Sequence, residues 1–234
     1  MKQELLDLIK AGRSREESEL VPHVDDTLPD EPGRWTAKDQ LAHVSAWREV
    51  AAAEMDAVRT GGPGPVVTDD DTVANAEIYE RTHHQSAASI RDAAKTSWDR
   101  VAAAVEACSD EDLAKPRIRH PDERETLSRL IPDHSYHLAE HLVYWHRERG
   151  DEAAAEEAAI WAYELSSSTS PDGRGRGAAA YNLGCFYAAR GRADEAMPHL
   201  RRGIELRPDL REWAKQDTDL DPIRTTPELA SLLG

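Results

Sequence analysis

Apolar residues recur at helical spacing along most of the chain, and no stretch shows the two-residue alternation of a half-buried strand. Leu5, Leu6, Ile9 and Leu20 lie among charges between residues 2 and 20 and predict a first amphipathic helix. LPDEPGRW, with two prolines and a glycine, breaks it. Thr36, with Asp39 three residues on, is a capping-box-like start. The run AKDQLAHVSAWREVAAAEMDAVR then continues helically to about Arg59, and GGPGP at 61–65 ends it. Past the acidic loop TDDDT come a short helical piece, VANAEIYERTHH, and a longer one, SAASIRDAAKTSWDRVAAAVEAC. SDEDL at 109–113 reads as a turn with its own N-cap, and KPRIRHPDER as a loop. The next helix carries HSYHLAEHLVYWH at 134–146 and stops at Gly150, with Pro132 marking its first turn or a kink. Four main helices with one long crossover between the second and third predict a four-helix bundle over residues 1–150.

After Gly150 the pattern changes. DEAAAEEAAIWAYELSS reads as one helix, SPDGRGRG as a flexible turn, and AAAYNLGCFYAARGRADEAMPHLRRGIELRP as a helix–turn–helix. That last stretch resembles a tetratricopeptide repeat. Leu183, Gly184 and Tyr187 match its first helix, Ala196, Leu200 and Gly203 fall on packing positions of its second, and Pro208 closes it. The tail LREWAKQDTDLDPIRTTPELASLL resembles the end segment that follows a last repeat. One and a half repeats cannot bury a core of their own, so residues 151–234 are expected to dock on the bundle as a tetratricopeptide-like extension. The expected fold class is all-α.

Composition narrows the partners. The net charge of −16, from 45 acidic against 29 basic residues, argues against nucleic acid or an anionic membrane as the main partner, since either would be repelled. No run approaches a membrane span, and MKQELLDLIK lacks a signal-peptide apolar block, so a cytoplasmic location is expected. Cys108 and Cys185 fit neither a zinc nor a redox spacing and read as two packed, reduced thiols.

The histidines carry the chemistry. For 10 histidines in 234 residues roughly 0.4 pairs at four-residue spacing arise by chance, so the His137–His141 pair alone says little. Helical geometry says more. His134, His137, Leu138, His141, Trp145 and Glu148 share one stripe roughly 100° wide, while His146 points nearly away. Leu138 and Trp145 make that stripe core-facing, and buried imidazoles need partners. A bound metal is one such partner, and residues four apart place two rings on one ion. A third ligand would have to come from another helix, and His43, one turn before Trp47 in WTAKDQLAHVSAW, is available. Hydrogen-bonded core histidines and a pH-sensitive cluster stay open as alternatives. His83, His84, His120 and His199 read as surface or loop residues, and TDDDT and SDEDL as solvated caps.

A tryptophan, then Thr-x-x-Asp, then LxHxxxW in the second helix, with HxxxH in the last, resembles the DinB-like (YfiT-like) superfamily. The resemblance covers about residues 1–150 and implies a four-helix bundle with a three-histidine metal site, here His43, His137 and His141. Asn75, Ile78 and Tyr79 after an acidic loop also resemble the branch typified by colibactin self-protection proteins, which hydrolyse cyclopropane warheads without relying on such a triad. Zinc is the default ion by ligand type, and nickel or iron also suit imidazoles. DinB-like relatives include thiol transferases, so a low-molecular-weight thiol such as mycothiol is an implied co-substrate.

The expected function is therefore a metal-dependent enzyme acting on an electrophilic small molecule, by thiol transfer or ring-opening hydrolysis, in detoxification or self-resistance. Trp47, Asn75, Tyr79 and Trp145 are candidate pocket residues, and His134 and Glu148 candidate acid–base groups. The rivals are a metal-free DinB-like hydrolase and a non-enzymatic protein that sequesters a ligand or binds a protein partner or second copy through its helical repeat.

Overall fold

The computed structural model describes residues 1–26, 34–68, 70–118, 125–170 and 172–234. Among them the regular structure is helical, apart from an isolated antiparallel bridge between Pro116 and Thr126. The chain divides into two compact units, residues 1–145 and 146–234.

In the first unit, α1 (Lys2–Glu19) buries Leu5, Ile9, Gly12 and Glu16. The Thr36–Asp39 capping box opens α2 (Ala37–Thr60), and Gly61, at φ 70°, closes it in the left-handed conformation. Asp70 caps α3 (Asp71–Thr82), accepting from the amides of Thr72 and Val73, and Ser86 caps α4 (Ala87–Ala107). SDEDL forms a one-turn helix, α5 (Asp110–Leu113), under a Ser109–Asp112 capping box. Pro132 sits in the first turn of α6 (Leu130–Glu148), where its missing N–H costs nothing, and Gly150 at φ 72° follows that helix.

The four long helices make the bundle. α4 packs on both α1 and α2, and the crossover helix α3 lies on α2. Leu41, Met55, Ile90, Val101, Val105, Leu138, Leu142 and Trp145 fill the centre. A Cβ on Gly12 would lie 2.9 Å from the Trp98 ring and 3.7 Å from Leu138, so α1 meets α4 and α6 closely there.

A buried ionic network crosses this core. Arg48 on α2 donates to both oxygens of Glu16 on α1, at 2.6 and 3.0 Å, and its other donors reach Ser97 and Ser45. Trp98 Nε1 donates to Glu16 at 2.7 Å, and the guanidinium lies 4.0 Å from the Trp98 ring centroid. Burial pushes the Glu16 carboxyl up, against the pull of Arg48's charge and hydrogen bonds.

The second unit contains α7 (Glu152–Thr169), α8 (Gly173–Ala188), α9 (Ala193–Leu206), α10 (Leu210–Ala214), a 3-10 turn at 218–223 and α11 (Pro227–Leu233). α7 packs on α8, and α8 and α9 form a hairpin turned at Gly191, φ 69°. The expectation of a flexible turn at SPDGRGRG is overturned from Gly173 onward, because GRGRG is the start of α8. Asp172 caps it by accepting from the Arg174 and Gly175 amides. The glycines there serve close approach: a Cβ on Gly175 would meet Ser170 Oγ at 2.6 Å, and one on Gly177 would meet Leu206 Cβ at 2.9 Å. Cys108 and Cys185 are buried free thiols, and burial pushes Cys108 up and Cys185 beyond the ordinary thiol range. No helix among the described residues is long and apolar enough to cross a membrane.

At Gly203 the two helices of the hairpin meet backbone to backbone, since a Cβ there would lie 2.9 Å from both Cβ and the backbone nitrogen of Tyr181. Gly203→Ala gains up to about 1 kcal/mol of helix propensity, but forcing the α8 backbone away costs about 1–3 kcal/mol. The net expectation is destabilisation, read as a lower urea midpoint. An unchanged or raised midpoint would show that α8 and α9 are not locked at this contact.

Candidate metal centre

α2 presents His43 two turns from its start, and α6 presents His137 and His141 on successive turns of one face. The three rings converge through the same atom. His137 Nε2 lies 3.1 Å from His43 Nε2 and 2.9 Å from His141 Nε2. Among the described residues the three form a group able to hold one ion, with ligand atoms within 4.8 Å of one another. Gln40, one turn before His43, hydrogen-bonds through Oε1 to His141 Nδ1. Trp35, immediately before the Thr36 cap, stacks on His141 at 6.0 Å and 13° and lies 5.0 Å from the His43 ring. Tyr79 stacks on Trp35 in turn, and His83 on Tyr79.

A model of the DinB superfamily matches residues 15–145 of the chain. The chain belongs to the DinB superfamily. The match spans both helices that carry the triad and stops where the first unit ends. Neither curated proteins nor solved structures returned a match.

In this DinB-superfamily bundle, desolvation governs the three imidazoles. Burial pushes His43 down to about 4 and His141 to about 3, with repulsion from His43 adding to the latter. His137 falls well below the ordinary range through burial first, then repulsion from His141, His43 and His134. All three are neutral at pH 7, the state in which imidazole binds a metal. The donor set fits a cation on a further ground. His141, donating from Nδ1 to Gln40, presents a bare Nε2, and His137 Nε2 has one proton or one lone pair to share between two neighbours. A cation replaces that crowding with three lone pairs directed at one charge.

A cleft of about 260 Å³ adjoins the triad at His137. Trp47, Val50, Ala51 and Leu130 are its apolar lining residues, and Glu54, Asp71, Asn75, Arg117, Asp133 and His134 its polar ones. Trp47 Nε1 donates to Asn75 Oδ1 at 3.0 Å, which fixes the carboxamide at the cleft. Glu54 accepts from the Ile118 amide at 2.7 Å, and Arg117 and Arg129 both donate to Asp133. Burial raises the Asp133 carboxyl against the pull of Arg129 and Arg117.

The residues singled out from sequence divide accordingly. His43, His137 and His141 come together, Trp47, Asn75 and His134 line the cleft, and the His134 and His137 ring centroids are 6.5 Å apart. Tyr79 belongs to the aromatic stack on Trp35 rather than to the cleft lining. Trp145 is core, not pocket wall: one turn beyond His141 it is 1% exposed and packs against His23 at 5.7 Å. Glu148 is exposed and two turns past His141, about 10 Å along the helix, out of reach of the triad. His146 is buried although the helical wheel turns it away, and Tyr144 is exposed. His83 faces Asp39, with Nδ1 3.3 Å from its carboxylate, while His120 lies outside the described residues.

Sequence reasoning missed Gln40, Glu54, Arg117 and Asp133. Gln40 had a readable signal, three residues before His43 and so on its face. Glu54 and Arg117 meet across 63 positions of chain through a loop that carries no pattern.

The pKa shifts set the acid response of the metal-free protein. A histidine held below its ordinary pKa of about 6.5 takes up protons more readily when unfolded. The stabilising contribution of neutral His43 and His141 is therefore present above pH 6.5 and lost progressively as pH falls toward 4 and 3. The urea midpoint of the metal-free protein is expected to drop between pH 7 and pH 5, and less so in His43→Ala. Parallel pH profiles for the two proteins would contradict a desolvated His43.

Proposed function

We propose that the chain is a metal-dependent enzyme that acts on a reactive, electrophilic small molecule, transferring a thiol to it or opening a strained ring with water. The observation that carries this reading is the convergence of three neutral Nε2 atoms beside a cleft lined by both apolar and polar side chains. His43, His137 and His141 would hold the ion, with zinc favoured by ligand type and nickel or iron also compatible. When bound, such an ion would supply Lewis acidity that activates a water or thiol near neutral pH.

The chain's own residues supply the rest. Trp47, Val50, Ala51 and Leu130 keep bulk water off the apolar part of a substrate, and Asn75, held by Trp47, orients a polar group. His134 lines the cleft, and its imidazole would move a proton between substrate and solvent. A low-molecular-weight thiol such as mycothiol is the proposed donor in the transfer reaction.

The test is turnover of an electrophile such as a chlorinated nitroarene with a low-molecular-weight thiol, and of a cyclopropane-bearing substrate with water, before and after chelation. Turnover that chelation abolishes and zinc or nickel restores supports the proposal. Turnover that survives both chelation and His43→Ala would replace it with a metal-free hydrolase.

A further inference from the structure

The three histidines are not held alike. His141 is fixed from two directions, by the Gln40 carboxamide at Nδ1 and by the Trp35 ring stacked on it. His43 Nδ1 is buried with no hydrogen-bond partner among the described residues. Gln40 is itself 3% exposed and stands on the same face of α2 as His43, so this helix provides one candidate ligand and the group that orients another on α6.

A neutral imidazole carries its proton on one nitrogen only. An acceptor at Nδ1 keeps the proton there and leaves the Nε2 lone pair for a cation. A donor at Nδ1 would do the reverse and disable the ring as an Nε2 ligand. We propose that Gln40 is a positioning residue for the metal: its Oε1 holds His141 in the Nδ1–H tautomer and fixes the ring's aim, which makes His141 the preorganised arm of the triad. His43, with no such acceptor, is the arm that must be recruited. This inference rests on the metal-binding reading of the triad.

Three proteins separate the possibilities. Gln40→Leu keeps the shape and removes the acceptor, whereas Gln40→Glu can only accept once ionised. Zinc or nickel affinity would be measured by competition with a chromophoric chelator, and the His141 tautomer by nitrogen-15 shifts of the metal-free proteins. Gln40→Leu is expected to bind metal about 10–100-fold more weakly, the usual cost of losing such a partner, while Gln40→Glu binds at least as tightly as wild type. His141 should be the Nδ1–H tautomer in wild type and lose that preference in Gln40→Leu.

A folded Gln40→Leu protein that binds metal within twofold of wild type would overturn the proposal and leave the metal site standing. A wild-type protein that binds no metal would overturn the metal reading instead, and the tautomer of the metal-free protein would still decide whether Gln40 orients His141. An Nε2–H tautomer in wild type overturns the proposal outright. Loss of stability in Gln40→Leu with affinity unchanged would assign Gln40 a packing role and count against it.

Discussion

Replacing Glu16 with alanine is expected to destabilise the amino-terminal unit by about 3–5 kcal/mol, the usual cost of stranding one member of a buried ion pair. Glu16 is 1% exposed and Arg48 2%, so water cannot stand in for the missing carboxylate. The variant leaves a guanidinium in the core with only Ser97 and Ser45 as acceptors, and Trp98 Nε1 loses its acceptor as well. An exposed pair, such as Arg13–Glu17, contributes about 0–1 kcal/mol by contrast. Urea unfolding of the metal-free protein reads the difference. Glu16→Met combined with Arg48→Met should recover part of the loss, because it removes both charges together. A single variant that costs less than about 1 kcal/mol would mean the pair is hydrated and the three-helix junction is looser than described.

The second large effect belongs to His137. It is the middle member of the triad, in contact with both other Nε2 atoms. Its removal leaves His43 and His141 with no common third ligand, and two protein ligands hold a divalent ion weakly. His137→Ala is expected to lower metal affinity by more than about 100-fold, beyond the loss that an orienting partner causes. It should also make the apo protein less sensitive to acid, since His137 is held well below its ordinary pKa by burial and by its neighbours. A chelator-competition titration measures the first effect and a pH series of unfolding midpoints the second. Wild-type affinity in this variant would move the ion elsewhere.

Much of the bundle was legible because its signals are local. The Thr36–Asp39 box, GGPGP and Gly150 each mark a helix end through the backbone they require, and all three do so in the structure. The histidine stripe was legible through helical periodicity, which placed His137 and His141 on one face whatever the tertiary fold. Pairing them with His43 needed the family resemblance, because spacing within one helix says nothing about which helix faces it. What escaped is non-local or depends on neighbours. Glu16, Arg48 and Trp98 look like ordinary positions of amphipathic helices, and only the packing of α1 and α2 on α4 brings them together. Glycine misled in the opposite direction. GRGRG suggested a flexible turn, yet its small residues allow α8 to approach Ser170 and Leu206 closely. Trp145 and Glu148 share the histidine stripe, but a stripe does not distinguish a pocket wall from core or a helix end in solvent. The family match ends at residue 145, so the reading of 146–234 rests on helix packing alone.

The most direct test of the central claim is metal content by plasma mass spectrometry on untagged protein. Wild type would be compared with His43→Ala and with the His137→Ala/His141→Ala double variant. The account predicts about one equivalent of a divalent metal in the wild type, lost from both variants while their helical content is kept. No metal in the wild type after reconstitution with zinc and with nickel, or equal metal in all three proteins, would contradict it.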